Sequence, residues 1–163
     1  MIGKKMQDAF NGQIQAELYS AYLYLSMSIY CERKNLKGFA AWLRVQYQEE
    51  MDHAFKLMAY VGERSGAVQL QAIDAPPAEF GSPVEVFEKV LAHEQHVTSL
   101  INNVYEVALT EKDFAAQIFL QWFITEQVEE EASAGEMLEK LKTAGDKGGT
   151  ILYLDKEAGK RGA

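Results

Sequence analysis

Glu50-Met51-Asp52-His53 sets a carboxylate and an imidazole three positions apart. On a helix, positions i and i+3 share a face, so both side chains can reach one metal ion. Alone, a Glu-x-x-His pair is a weak signal. Its weight rises because glutamates interrupt four separate apolar stripes of 3-4 spacing, the spacing that faces a bundle core. The first stripe is Phe10, Ile14, Glu17, Ala21, Tyr24 and Ser28. The second is Phe39, Leu43, Gln46, Glu50, His53, Leu57 and Tyr60. The third is Phe87, Leu91, Glu94, Thr98, Ile101 and Tyr105, and the fourth Leu120, Phe123, Gln127, Glu130, Ala134, Met137 and Leu141. Counted from the turn between the first two helices, Glu17, Glu50 and His53 lie about 18, 15 and 18 residues away. Counted from the turn between the last two, Glu94, Gln127 and Glu130 lie about 17, 16 and 19 away. At about 1.5 Å per residue all six share a slab roughly 6 Å thick.

Four carboxylates meeting inside a bundle need compensation, since burying an ionised carboxylate costs several kcal/mol. No Lys or Arg occupies the stripes. Protonation or cations must neutralise the layer, and two divalent ions would balance four carboxylates. A carboxylate-rich set with one imidazole suits iron or manganese, and no thiolate is offered to favour zinc. Glu50 is the candidate bridge, having two oxygens and a place in mid-layer. Tyr24 lies on the same stripe as Glu17, either as a core aromatic whose hydroxyl a glutamate satisfies or as a one-electron donor. A solvated acidic face would explain any single glutamate, but not matched interruptions in four stripes.

The elements that position this layer are long helices. Proline occurs only at Pro76, Pro77 and Pro83, so the rest of the chain can be helical without breaks. The segments are rich in Ala, Leu, Glu, Gln, Lys and Met, which form helices readily. We expect helices from about Lys4 to Arg33 and from about Lys37 to Arg64, with Gly66 as a stop signal. Ser82-Pro83-Val84-Glu85 reads as a capping box with proline at the first helical position, opening a helix to about Ala108. Thr110 is the expected cap of a fourth helix ending before Gly145, and Thr150 of a short fifth. Short turns near Asn35 and Glu111 make two antiparallel hairpins. The Gly66–Ser82 stretch, about 17 residues, can span roughly 55 Å, more than the roughly 42 Å of a helix of about 28 residues. The second and third helices can therefore run parallel. The expected fold is all-α, a four-helix bundle plus a short C-terminal helix. It is read as a single domain over residues 1–163, with the bundle at about 4–144 and the short helix at about 150–158.

The 163 residues are 48% apolar with a net charge of −8, which argues against disorder and against binding nucleic acid or an anionic membrane. The single cysteine, Cys31, allows no internal disulfide and reads as a small buried hydrophobe. The lysines near the N-terminus are followed by no apolar run, so no signal peptide is expected there, and no stretch suits a membrane span. A reducing cytoplasm is the expected setting.

The chain resembles the non-haem bacterial ferritins, members of the ferritin-like di-iron carboxylate family. The resemblance rests on Ala16-Glu17-Leu18-Tyr19-Ser20 with Tyr24, on Gln48-Glu49-Glu50-Met51-Asp52-His53-Ala54, on Glu94, and on Phe119-Leu120-Gln121-Trp122-Phe123 followed by Glu126-Gln127-Val128-Glu129-Glu130-Glu131. It implies iron storage and detoxification, with Fe(II) oxidised by O2 or hydrogen peroxide at a di-iron ferroxidase centre. It also implies a hollow homo-oligomeric cage of 24 subunits holding a ferric mineral, and no haem. One iron would take Glu17, Glu50 and His53. The second would take Glu50, Glu94 and Glu130, with Gln127 hydrogen-bonding nearby and Tyr24 beside them.

Two relatives of that family are rivals. A haem-binding bacterioferritin could use Met51 as an axial ligand, but its symmetric centre would need Glu and His where this chain has Gln127 and Glu130. A rubrerythrin-like peroxide reductase would need a cysteine-ligated iron module that one cysteine cannot build. A metal-free structural bundle would leave the carboxylate layer without a purpose. Glu126, Glu129 and Glu130 share one face of the fourth helix, and Glu49 adjoins Glu50. Together with the resemblance they suggest a third, more exposed iron site. His93 and His96 are read as exposed helix residues rather than a metal pair, and Trp42 and Trp122 as core or interface aromatics. The segment Ile151 to Leu154 carries too many apolar side chains for a monomer surface.

Overall fold

A computed structural model of the chain describes residues 1–145 and 147–161. Among these residues the chain forms five helices: α1 (Lys4–Arg33), α2 (Lys37–Glu63), α3 (Pro83–Thr110), α4 (Phe114–Ala144) and α5 (Gly148–Ala158). The apolar core falls into two clusters. One joins Met6, Phe10 and Ile14 to Leu57, Val61, Ile101, Leu120 and Phe123. The other joins Met27, Phe39, Leu43, Phe87, Leu138 and Leu141, and takes in Leu154 and Ala158 of α5. The start of α1 thus packs with the end of α2, the end of α3 and the start of α4. This pairing makes each hairpin antiparallel and leaves α2 parallel to α3.

The parallel arrangement depends on the crossover between α2 and α3, which runs along α1. Its backbone meets polar side chains of that helix at successive levels. Gln7 Oε1 accepts from Ala67 N at 2.8 Å, and Asn11 Oδ1 from Gln69 N at 3.0 Å. Gln15 donates to the Ala72 carbonyl at 2.6 Å, Ser26 to that of Pro77 at 2.6 Å, and Tyr30 to that of Gly81 at 2.8 Å. An extended segment without a sheet partner must find such acceptors and donors. At the far end Arg64, which closes α2, pairs with both oxygens of Asp113 at 3.1 and 3.0 Å.

Asp113, not Thr110, caps α4, its Oδ1 accepting from Ala116 N at 3.0 Å. Thr110 is the last residue of α3. A longer acidic side chain three positions before a free N–H does what Thr110 was expected to do. The fifth helix likewise starts earlier than Thr150, after Lys147, with no side-chain cap. The capping box at Ser82 and Glu85 forms as expected. On α3 the buried positions are Val90, Val97 and Val104 rather than Leu91, Thr98 and Tyr105, and on α4 Leu138 replaces Met137. The displaced side chains are half-buried at the flank of the core. Beyond α5 the chain continues in turns through Arg161; Gly162 and Ala163 lie outside the described residues.

α5 docks on the start of α2. Asp155 Oδ1 accepts from Phe39 N at 2.8 Å, supplying a cap that Leu36 does not. The contact is close: a Cβ at position 38 would fall 1.6 Å from the Asp155 carbonyl oxygen. Gly38→Ala is therefore expected to undock α5 while the four long helices persist. Hydrogen exchange should show protection lost across Ile151–Ala158; unchanged protection would show that α5 does not depend on this approach.

Candidate metal centre

Between the two apolar clusters lies the polar layer. Glu17, Gln46, Glu50, His53, Glu94, Gln127 and Glu130 are all buried. Each comes from the middle of its helix, so the layer is held rigidly by packing above and below it. Glu17, Glu50 and His53 each present one ligand atom within 4.8 Å of the other two, and so do His53, Glu126 and Glu130. His53 Nδ1 lies 3.3 Å from Glu50 Oε2 without hydrogen-bond geometry.

Amides and a phenol satisfy part of the carboxylate demand. Gln13 donates to Glu17 Oε1 at 2.9 Å. Gln46 Nε2 points at three carboxylates, at 2.6 Å from Glu130, 3.3 Å from Glu94 and 3.4 Å from Glu50. Gln127 donates to Glu94 Oε2 and to its backbone carbonyl, both at 3.2 Å. The Tyr24 hydroxyl donates to Glu94 Oε1 in a short hydrogen bond. Burial and the Glu94 charge push that phenol well above its ordinary range, so it stays protonated. Two buried oxygens, Glu17 Oε2 and Glu50 Oε2, have no hydrogen-bond partner. Orphaned buried oxygens beside an imidazole are the donor set of a cation site.

The electrostatics point the same way. Burial drives Glu17 well above the ordinary carboxylate range, and the Glu50 charge adds to it. Glu50 is raised by burial and then by Glu94. Glu94 is raised by burial, partly offset by Tyr24 and Gln127. Glu130 is pushed up to about 7 by burial and then Glu94. Among the described residues no Lys or Arg hydrogen-bonds any of these four carboxylates. The layer lacks positive charge of its own.

The side of the layer between α2 and α4 is the open one. No Cα of α2 comes within 8 Å of one in α4 among the described residues. Side chains bridge the gap instead: Gln46 to Glu130, and His53 against Trp122 at 5.5 Å between ring centroids. Trp122 is half-exposed there with Lys56 Nζ 3.7 Å above its ring, whereas Trp42 is buried.

Of the outer acidic residues, Glu126 joins the layer's edge at His53 and Glu130. Glu49 is paired with Arg161 at 2.6 Å, and Glu129 is exposed on α4. His93 is not exposed as expected. It is half-buried, 2.8 Å from Ser20 Oγ, with its ring edge-on to Tyr24. Burial and the neighbouring His96 lower its pKa to about 4, so it is neutral. His96 is exposed. Cys31 is buried, and its thiol is pushed up to about 12 by burial and Asp155. Sequence reasoning missed Gln13 and Gln46 as site residues, although each sits one helical turn before a layer glutamate, at i−4 from Glu17 and Glu50.

Residues 7–144 match the ferritin-like domain family. A bacterial non-heme ferritin of Bacteroides fragilis is 47% identical over 161 residues, covering 99% of this chain and 100% of that protein. One of Campylobacter jejuni is 41% identical over 155 residues, covering 95% of this chain and 93% of its own. Among solved structures, an open pore ferritin from the archaeon Archaeoglobus fulgidus is 52% identical, covers 99% of both chains and superposes with a TM-score of 0.97. The chain belongs to the ferritin family, with full-length relatives among the non-haem bacterial ferritins. Storage of iron is the function this membership carries.

The raised carboxyl groups make a prediction for the metal-free protein. A carboxyl whose folded pKa exceeds its unfolded value holds its proton better when folded. Its contribution to stability is complete below the unfolded pKa and is lost as pH rises through the folded one. For Glu130 that window runs from 4.5 to about 7. The thermal midpoint should therefore fall as pH rises across it. Glu50→Gln removes one buried charge at the same shape. It should raise the metal-free midpoint at pH 8 by about 2–4 °C for each kcal/mol relieved. A lower midpoint in that variant would show that the layer is not under charge strain.

Proposed function

We propose that the layer binds and oxidises the stored metal, as a ferroxidase centre handling two Fe(II) per subunit. One ion takes Glu17, Glu50 and His53, and the other Glu50, Glu94 and Glu130, with Glu50 bridging. The observation that carries this reading is the pair of partnerless buried oxygens, Glu17 Oε2 and Glu50 Oε2, in a four-carboxylate layer without a Lys or Arg. Gln127 and Gln46 orient the second set, and Tyr24 holds Glu94 while remaining a protonated phenol beside the pair. Anionic oxygen ligands favour Fe(III) over Fe(II) and so ease electron loss. Two Fe(II) give up one electron each. With two protons they reduce O2 to hydrogen peroxide, or hydrogen peroxide to two waters.

Glu50→Ala deprives both ions of a ligand at once. The fast phase of Fe(II) oxidation under air should fall by at least about tenfold, the lower end of what losing even a partner of a metal ligand costs. An initial rate equal to wild type would remove this assignment.

The same reading extends outward and to the assembly. Glu49, Glu126, Glu129 and Glu130 form a third, weaker cation site on the open α2/α4 side, where desolvation costs less than in the core. The closeness of Glu126 and Glu130 to His53 supports it. A Glu49→Ala, Glu126→Ala, Glu129→Ala variant should still bind two ions per subunit and oxidise them, with altered O2 consumed per iron. Metal-soaked crystals with no third ion, together with unchanged kinetics in the variant, would eliminate the site. The oligomer is a hollow cage of 24 subunits, in a reducing cytoplasm. Its support is the ferritin relatives and the exposed Leu152 and Tyr153 of α5, apolar side chains that call for a covering partner.

A further inference from the structure

Arg161 reaches back from beyond α5 over the first half of α2. Its Nη2 donates to Glu49 Oε2 at 2.6 Å and its Nη1 to Gln46 Oε1 at 2.9 Å. Its Cζ lies 4.2 Å from the centre of the Trp42 ring, within cation–π range. Three anchors hold one side chain that is only 22% exposed. None of them is needed to dock α5, which Leu154, Ala158, Asp155 and the Gly38 approach already do.

The chemistry of the two partners gives the contact direction. A guanidinium has donors and no acceptor. It can therefore meet only the carbonyl end of the Gln46 amide. With Oε1 taken, Nε2 must face inward, where it reaches Glu130, Glu94 and Glu50. A reversed amide would set Oε1 against three carboxylates and leave its N–H groups against Arg161. Arg161 thus reinforces, from outside, the amide polarity that the three carboxylates favour from within. It also neutralises Glu49, so the cation compensating that carboxylate is one the chain itself carries.

We propose that Arg161 is a tethered counter-cation at the outlet of the carboxylate layer: docked, it orients Gln46 and withholds Glu49 from metal; displaced, it frees Glu49 for an ion shared with Glu126 and Glu130. This rests on the reading of the outer acidic residues as a cation site. A guanidinium and a metal ion repel one another and compete for the same oxygen. Their competition is reciprocal, so an outer ion that displaces Arg161 loosens the end of α5, and a firmly docked α5 weakens the outer ion. Arg161 is a positioning residue that touches three side chains of α2, Trp42, Gln46 and Glu49, and is not itself a metal ligand.

Tb(III) and Zn(II) test this without redox chemistry, titrated into the assembled protein by luminescence and calorimetry. Arg161→Gln should bind the outer ion about fivefold or more tighter than wild type, the lower end of ordinary coupling between sites. Adding Glu49→Gln to it should abolish the gain. Arg161→Lys keeps the charge but not the double contact, and should fall between. Lys160→Gln removes the same charge one residue away and should change nothing. Hydrogen exchange on wild type should show faster exchange at the end of α5 when the outer ion is loaded. An outer affinity within about twofold of wild type in Arg161→Gln overturns the proposal. So does a gain that survives Glu49→Gln, or one that Lys160→Gln reproduces. A wild type that binds two inner ions but fails these tests refutes this inference alone. One that binds no ion in the bundle refutes the ferroxidase reading as well.

Discussion

Four glutamates converge in one interior layer with no cation among them, and the surrounding structure answers to that constraint. An ionised carboxylate taken out of water costs several kcal/mol even after relaxation. The protein leaves the cost only partly met. Gln13, Gln46, Gln127 and Tyr24 each donate to a carboxylate, yet Glu17 and Glu50 keep one unpartnered oxygen apiece. The apolar core is divided by the layer into two clusters, and these supply the stability that the layer lacks. Long helices are required for this arrangement. Each must carry enough apolar surface on both sides of its polar turn to hold that turn in place.

The topology follows from the same need. With α2 parallel to α3, the chain must cross the length of the bundle outside it. The crossover lies on α1, where Asn11, Gln15, Ser26 and Tyr30 meet its backbone. That covers the side away from α2 and α4 and leaves the α2/α4 side as the wider opening. The outer carboxylates Glu49, Glu126 and Glu129 belong to the two helices that flank this opening. The crossover thus lies against α1, and the outer carboxylates gather on the opposite, α2/α4 side of the layer.

How much of this was legible depends on the kind of signal. Glu17, Glu50, His53, Glu94, Gln127 and Glu130 stood out because a charged or amide residue on an apolar stripe survives as a linear pattern, and every one of them is buried in the layer. The register of α3 slipped because Leu91, Thr98 and Tyr105 form a stripe as regular as Val90, Val97 and Val104. Only packing against two neighbours at once decides between them. Thr110 and Thr150 carried ordinary capping chemistry, but Asp113 has a charged side chain and an Arg64 partner 49 residues away. His93 was misplaced for the same reason: Ser20, which holds it, is 73 residues distant. Arg161 is the extreme case, 115 residues from Gln46 and 112 from Glu49. It lies in turns beyond α5, where helical spacing no longer places side chains on a face.

The carboxyl groups also differ along the path from interior to opening, and the differences order their roles. Glu17 and Glu50 carry the orphan oxygens, and burial raises both carboxyls well above the ordinary range. Glu130, at the α2/α4 edge, is less enclosed and is shifted only to about 7. It belongs to the outer of the two ligand clusters, with Glu126 and His53, and His53 is the residue common to both. Metal held among these carboxyls would take over from their protons as the neutralising charge, so four bare carboxylates need never face one another.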